Sequence, residues 1–233
     1  MATFSDESFS KFAEEYINSD LSPWTFFVEA TNFKIYRRRF EPKPALFEYR
    51  VIGGYPDIPA KVLTKVYLDL DFRQKWDKNM LCYKELGSKE VLHFVMKYPW
   101  PLSNRDYVYQ MKLKTLQAAQ DRTVLVIQGD SVQSHQVPVF EPPSNGVIRI
   151  DNYRQNIVIE DDGKGGSLVQ LDYFDDPKGN IPNSVINWAA KQGVPSFMKT
   201  LHDACISYMK VHPETAHQEL DAEQPVEKNG LPK

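Results

Sequence analysis

Only two of the 233 residues are cysteine, Cys82 and Cys205, far apart and in no spacing that suits a metal. Neither a disulfide framework nor a metal site is expected, and a reduced, cytoplasmic protein is the simplest reading. No apolar run reaches the roughly eighteen residues that a membrane-spanning helix needs. The opening residues, MATFSDESFSKFAEEY, have neither a basic n-region nor an apolar h-region, so no signal peptide is expected. Ala2 excludes N-myristoylation, and the closing NGLPK is no prenylation box. Enzyme signatures are missing too: there is no G-x-S-x-G, no H-E-x-x-H, no Walker loop and no G-x-G-x-x-G. Positive charge is not in excess, since the net charge is −3, and no nucleic-acid partner is expected.

What the chain does have is aromatic carbon. Its 13 Phe, 12 Tyr and 4 Trp make up 12% of the residues, and 42% are hydrophobic. Such a chain can bury a substantial core, which excludes disorder throughout. Charge is unevenly placed. Residues 214–233 hold five acids, two lysines and no aromatic, whereas residues 1–213 balance 26 acids with 26 bases. The chain therefore reads as a folded body, 1–213, and an acidic tail, 214–233, with the composition of a disordered segment.

Periodicity supplies the elements. Phe9, Phe12, Tyr16 and Ile17 fall on one stripe and predict a helix over 5–18, capped by Ser5. Alternation or short apolar runs predict strands at 24–29, 34–39, 46–52, 91–96, 107–116, 123–128, 147–159 and 168–174. The run Asp161-Asp162-Gly163-Lys164-Gly165-Gly166 predicts a hairpin turn between the last two. Helical pieces are expected at 59–69 and around 71–78. Val194, Phe197, Met198, Leu201, Cys205, Tyr208 and Met209 form the stripe of a long final helix, ended by His212-Pro213. Gly193 and Pro195 are expected inside that helix, bending it. There is no regular βαβ alternation and no internal repeat. The fold class is α+β, a mostly antiparallel sheet with helices packed on it.

Several residues could carry chemistry. Gly163-Lys164-Gly165-Gly166 resembles a phosphate loop but joins strand to strand, which favours the hairpin. Asp69 and Asp71 suit helix caps better than a metal. His202 and Cys205 stand three apart, but Cys205 lies on the apolar stripe and reads as a buried structural thiol. Arg73 and Asp77 are four apart on one helical face. They read either as a surface pair worth a few tenths of a kcal/mol or as an arginine held by a carboxylate, its free donors aimed at an anion such as phosphate.

Four stretches carry a resemblance: YLDLDFRQKWD at 67–77, KYPWPLSNRDYVY at 97–109, GVIR at 146–149 and IPNSVINWAAKQGVPSF at 181–197. They resemble the START domain family, and the last is typical of its phosphatidylcholine carriers. The resemblance implies a helix-grip fold, in which a curved antiparallel sheet and a long C-terminal helix close a tunnel around one lipid. It implies a monomeric carrier that moves phosphatidylcholine between membranes, touching them transiently, without chemical change and without a cofactor. It assigns phosphate binding to Arg73, braced by Asp77, and a choline cage to Phe94, Tyr107 and Tyr153, with Tyr67 and Gln155 nearby. Position 94 departs from the carriers, which have tryptophan there, and phenylalanine offers a weaker π-face. Phosphatidylethanolamine or a sterol is therefore an alternative ligand. So is a role as a lipid-sensing interaction protein, its protein partner unknown. Trp188, Val194, Phe197 and Met198 are expected to line a lid that contacts membranes.

Overall fold

The computed structural model describes residues 4–43, 45–119, 122–133, 143–179, 181–182, 185 and 192–216. The first helix, α1 (Asp6–Asn18), starts where Ser5 accepts a hydrogen bond from the Ser8 N–H, with Asp6 and Glu7 in the first turn. Ten strands follow: β1 (Thr25–Ala30), β2 (Phe33–Arg39), β3 (Phe47–Tyr55), β4 (Met80–Glu85), β5 (Val91–Met96), β6 (Arg105–Ala118), β7 (Arg122–Ser131), β8 (Ile148–Ile150), β9 (Tyr153–Asp161) and β10 (Ser167–Asp175). Two helices, α2 (Ala60–Leu68) and α3 (Leu70–Trp76), interrupt them after β3. A long helix, α4 (Val194–Val211), and a short turn, α5 (Pro213–Ala216), complete the described chain.

The strands form one curved sheet in the order β1-β2-β3-β10-β9-β7-β6-β5-β4, with β8 beside β6. Every neighbouring pair is antiparallel except β8 with β6. Alternation assigns the faces. Along β7, Val124 and Val126 meet Phe9, Phe12 and Ala13 of α1 on the outer side. Leu125 and Ile127 point the other way, into a core shared with Val62 and Val66 of α2 and Leu201 and Cys205 of α4. Each such fully buried side chain contributes about 1.5–3 kcal/mol. Among the described residues the sheet thus carries α1 outside and α2, α3 and α4 inside.

The expected hairpin is present. β9 pairs with β10 from Asp161–Ser167 onward. Asp162 Oδ1 accepts the N–H groups of Lys164 and Gly166 at 2.7 and 2.8 Å, and Gly165 takes φ +94°, which glycine alone tolerates well. Asp69 caps α3 through the Phe72 N–H at 2.9 Å, as its spacing suggests.

One expectation changes and one strand was missed. The strand read over 147–159 is two strands, broken at Asp151-Asn152. There Asp151 pairs with Lys178 and the Tyr153 N–H donates to Ser131 Oγ. Strand β4 was not legible, because it is an edge strand with mostly exposed side chains and no apolar alternation. The bend expected at Gly193 and Pro195 adjoins residues 186–191, which lie outside the described residues; residues 192–193 form a wide helical turn, Gly193 is itself helical, and α4 begins at Val194 with Pro195 in its first turn. Trp188 lies outside the described residues. Beyond residue 213, α5 continues the packed body: Thr215 is buried and its N–H donates to the His212 carbonyl.

Candidate functional site

Helix α3 is short and has no fully buried residue, but it aims two side chains inward. Asp77, at its C-cap, is 3% exposed, and its Oδ2 accepts from Arg73 Nε at 3.1 Å. Asp77 Oδ1 is also engaged, by the Asn79 N–H at 3.1 Å. The carboxylate is therefore fixed, and through it the guanidinium. The Arg73 Cζ lies 5.0 Å from the Tyr67 ring centre, 5.6 Å from Phe197 and 6.0 Å from Trp76. Burial opposes its charge, but Tyr67, Asp77 and Tyr109 more than offset this, and its pKa stands above the ordinary arginine value. Among the described residues Arg73 makes no other hydrogen bond, so its terminal Nη atoms keep their donors. Beside it, Trp76 Nε1 is a buried donor with no partner. Three nitrogens, Arg73 Nη1 and Nη2 and Trp76 Nε1, thus carry N–H groups available to an acceptor.

The opposite wall is aromatic, because alternation brings rings from four strands onto the inner face. Phe94 of β5 stacks on Tyr109 of β6, centres 5.3 Å apart. Tyr153 of β9 lies 5.0 Å from Tyr109, 5.4 Å from Tyr107 and 5.7 Å from Tyr173 of β10. Tyr67 donates to Gln155 Oε1 at 3.0 Å, linking α2 to β9. Gln155 fits because Gly129 stands opposite: a Cβ there would come within 2.9 Å of its Cγ. Burial raises the pKa of Tyr107, Tyr153 and Tyr173 well above 10, so all three stay neutral.

The structure therefore brings Arg73, Asp77, Tyr67, Phe94, Tyr107, Tyr153 and Gln155 into one cluster. Val194, Phe197 and Met198 lie in the first turn of α4, half-buried against the inner core. Tyr55 fixes that turn by donating to the Met198 carbonyl at 2.8 Å. Sequence reasoning missed Tyr109, Tyr173, Tyr98 and Asp175. Tyr109 and Asp175 each stand two residues from another inner-face group, Tyr107 and Tyr173, and that spacing was the available signal. It also missed Trp100, 92% exposed in the loop between β5 and β6.

Inner-face side chains further along the sheet are only partly buried. Met111, Leu113, Val169 and Leu171 sit mid-strand beneath the helices and still keep accessible surface. A separate cleft of about 500 Å³ lies outside the sheet beside α1. Among its charged groups, Glu48 pairs with Arg38 and Arg154.

Comparison with known proteins agrees with this geometry. The START domain pattern matches residues 13–211. A phosphatidylcholine transfer protein of Mus musculus is 42% identical over 211 residues, covering 89% of this chain and 96% of that protein. The one of Homo sapiens is 39% identical over 212 residues, with the same coverage of each. The crystal structure of human STARD10 shares the fold, with a TM-score of 0.74 over 92% of this chain and 90% of that one, at 21% identity.

Proposed function

This chain belongs to the START domain family, and from that premise we propose that it encloses one phosphatidylcholine molecule and carries it between membranes without chemical change. One observation carries the reading: a guanidinium with unspent donors, braced by Asp77, faces a wall of Phe94, Tyr107, Tyr109 and Tyr153 inside the sheet. A phosphate diester suits the donors of Arg73 and the orphan Nε1 of Trp76. A quaternary ammonium donates no N–H and binds aromatic faces by cation–π attraction. A zwitterion entering a low-dielectric interior needs both.

No catalytic group is required. A methylene exposed to water costs ~0.8 kcal/mol, so about thirty methylenes make unassisted exchange of a diacyl lipid negligible. Covering the two tails is enough to accelerate transfer. The half-buried Met111, Leu113, Val169 and Leu171 are apolar partners for those tails. The lipid-binding body runs through Ala216, past the expected boundary at 213, because Thr215 is buried. The protein acts as a cytoplasmic monomer that touches membranes transiently through the start of α4 and the Trp100 loop.

Native mass spectrometry of freshly purified protein tests this. One diacyl phosphatidylcholine per chain is expected, and Arg73→Ala is expected to lower that loading at least about tenfold, because it also leaves Asp77 buried without its cation. Protein that emerges with no phospholipid and takes none from vesicles would overturn the reading. Phe94 supports a second reading, phosphatidylethanolamine as ligand, since a phenyl face holds a methylated ammonium less strongly than an indole does.

A further inference from the structure

Asp175 ends β10 on the inner face, two residues beyond Tyr173. Its Oδ2 accepts from Tyr107 at 3.0 Å and from Tyr98 at 3.4 Å, and the Tyr173 hydroxyl also lies against the carboxylate. Two of these rings, Tyr107 and Tyr173, flank Tyr153 at the centre of the aromatic wall. Among the described residues no lysine, arginine or histidine pairs with Asp175. The nearby cations are engaged elsewhere. Arg105 donates to the carbonyls of Ser103, Pro177 and Lys178, and Arg37 lies over Phe27 and Phe47. Lys43 and Lys178 pair with Asp176. Tyr49 of β3 adds a neutral ring nearby.

Asp175 is half-buried, and a carboxylate drawn away from water without a counter-ion costs free energy that neutral hydroxyls offset only in part. The interior therefore holds two opposite charges that do not pair with each other. Arg73 stands at one end of the run of rings, and Asp175 lies at the other. Tyr67 lies against Arg73, and Tyr153 is in ring contact with Tyr109, Tyr107 and Tyr173, the last two of which hold Asp175. A zwitterion with a phosphate at one end and an ammonium at the other matches that polarity.

Granting the carrier function proposed above, on which this assignment rests, we infer that Asp175 is the counter-charge for the cationic end of the head group. It makes the site discriminate cationic head groups from neutral ones. The rings supply π-faces to methylated nitrogen. Asp175, held by three tyrosine hydroxyls, supplies the net negative potential that a neutral head group would not use. It serves choline and ethanolamine alike, and so acts on charge rather than on methylation.

The test compares loading of phosphatidylcholine with loading of phosphatidylglycerol, which has the same phosphate and acyl chains but a neutral glycerol. Purified protein is equilibrated with vesicles containing both lipids, and bound lipid is counted by mass spectrometry. Asp175→Asn is expected to lower the ratio of phosphatidylcholine to phosphatidylglycerol about tenfold, and Asp175→Glu to recover part of it. A pH series adds a readout that a structural role would not move. In the parent the ratio falls as acid protonates Asp175, whose pKa burial already raises, whereas in Asp175→Asn it stays flat. Burial keeps Tyr98, Tyr107 and Tyr173 neutral in that range, and against its own burial Asp176 beside Asp175 is held low by Lys43 and Lys178, so it ionises below Asp175. An Asp175→Asn protein with the parent's ratio and the parent's pH profile would overturn the assignment and leave the carrier function standing. A parent that takes neither lipid would overturn both. If Asp175→Asn does not fold, Tyr107→Phe replaces it, because it removes a hydroxyl from the carboxylate and keeps the ring. A lowered ratio in that variant supports the assignment, and a parental one overturns it.

Discussion

Arg73, Phe94 and Asp175 illustrate how much a single side chain can settle here. Phe94 stacks on Tyr109 and so contributes a face to the wall that meets the ammonium. Phe94→Trp is expected to raise the preference for choline over ethanolamine roughly two- to fivefold, about 0.5–1 kcal/mol of added cation–π attraction. The larger ring must be accommodated beside Tyr83 and Tyr109, so a stability loss of about 1–3 kcal/mol should accompany it. Competitive loading from mixed vesicles and a thermal melt measure the two effects separately. Arg73 and Asp77 were legible as a pair because helical spacing is local. The same cannot be said of Tyr109, Tyr173 and Asp175. Their convergence depends on the pairing of β6 with β7, β7 with β9 and β9 with β10, strands whose partners are chosen by the sheet and not by neighbouring residues. A tyrosine alternating along a strand looks the same in sequence whether it faces a packed core or a ligand.

Elements decide how the interior opens. Helix α4 is tied down at its first turn by Tyr55 and further along by His202, whose Nε2 lies 2.8 Å from Asp57 Oδ2. Its Val194, Phe197 and Met198 point inward, which fits a lid over the core. The most exposed large apolar side chain among the described residues lies elsewhere, on the loop between β5 and β6. Trp100 is 92% exposed, and Tyr98, two residues away, touches Tyr107 and Asp175. Trp100→Ala is expected to slow lipid transfer between vesicles several-fold, since inserting an indole into the interface gains about 2 kcal/mol. Its unfolding midpoint should stay within about 0.5 kcal/mol of the parent, because an exposed side chain adds little to the folded state. Fluorescence-based transfer and thermal unfolding give both numbers. The long strands and both long helices were readable from apolar period, while β4 and the division of β8 from β9 were not. An edge strand has no buried face to impress on its sequence, and the β8–β9 break is set by polar contacts to residues far along the chain.

On the scale of the molecule, the folded body continues past the change in composition. The acidic character begins at Glu214, but Thr215 is 1% exposed and α5 packs beside α2 and α4. A chain truncated after Ala216 is expected to transfer lipid like the full protein. Truncation after His212 should destabilise it by about 1–2 kcal/mol, through the lost packing of α5. Denaturant unfolding and transfer rates of the two truncations check this. Composition reports where charge accumulates, whereas packing alone reports where the fold ends.

The order of the strands has a consequence for how this chain is made. β3 bonds to β10, with Tyr55 opposite Ser167, more than a hundred residues later. During synthesis the first three strands leave the ribosome with β3 unpaired on one side, and more than a hundred further residues must emerge before β10 fills the gap. Closing so long a loop slows folding, and an open edge beside an apolar face invites association with other nascent chains. The compartment for the lipid is therefore a late part of the molecule, complete only when β10 and then α4 have been delivered.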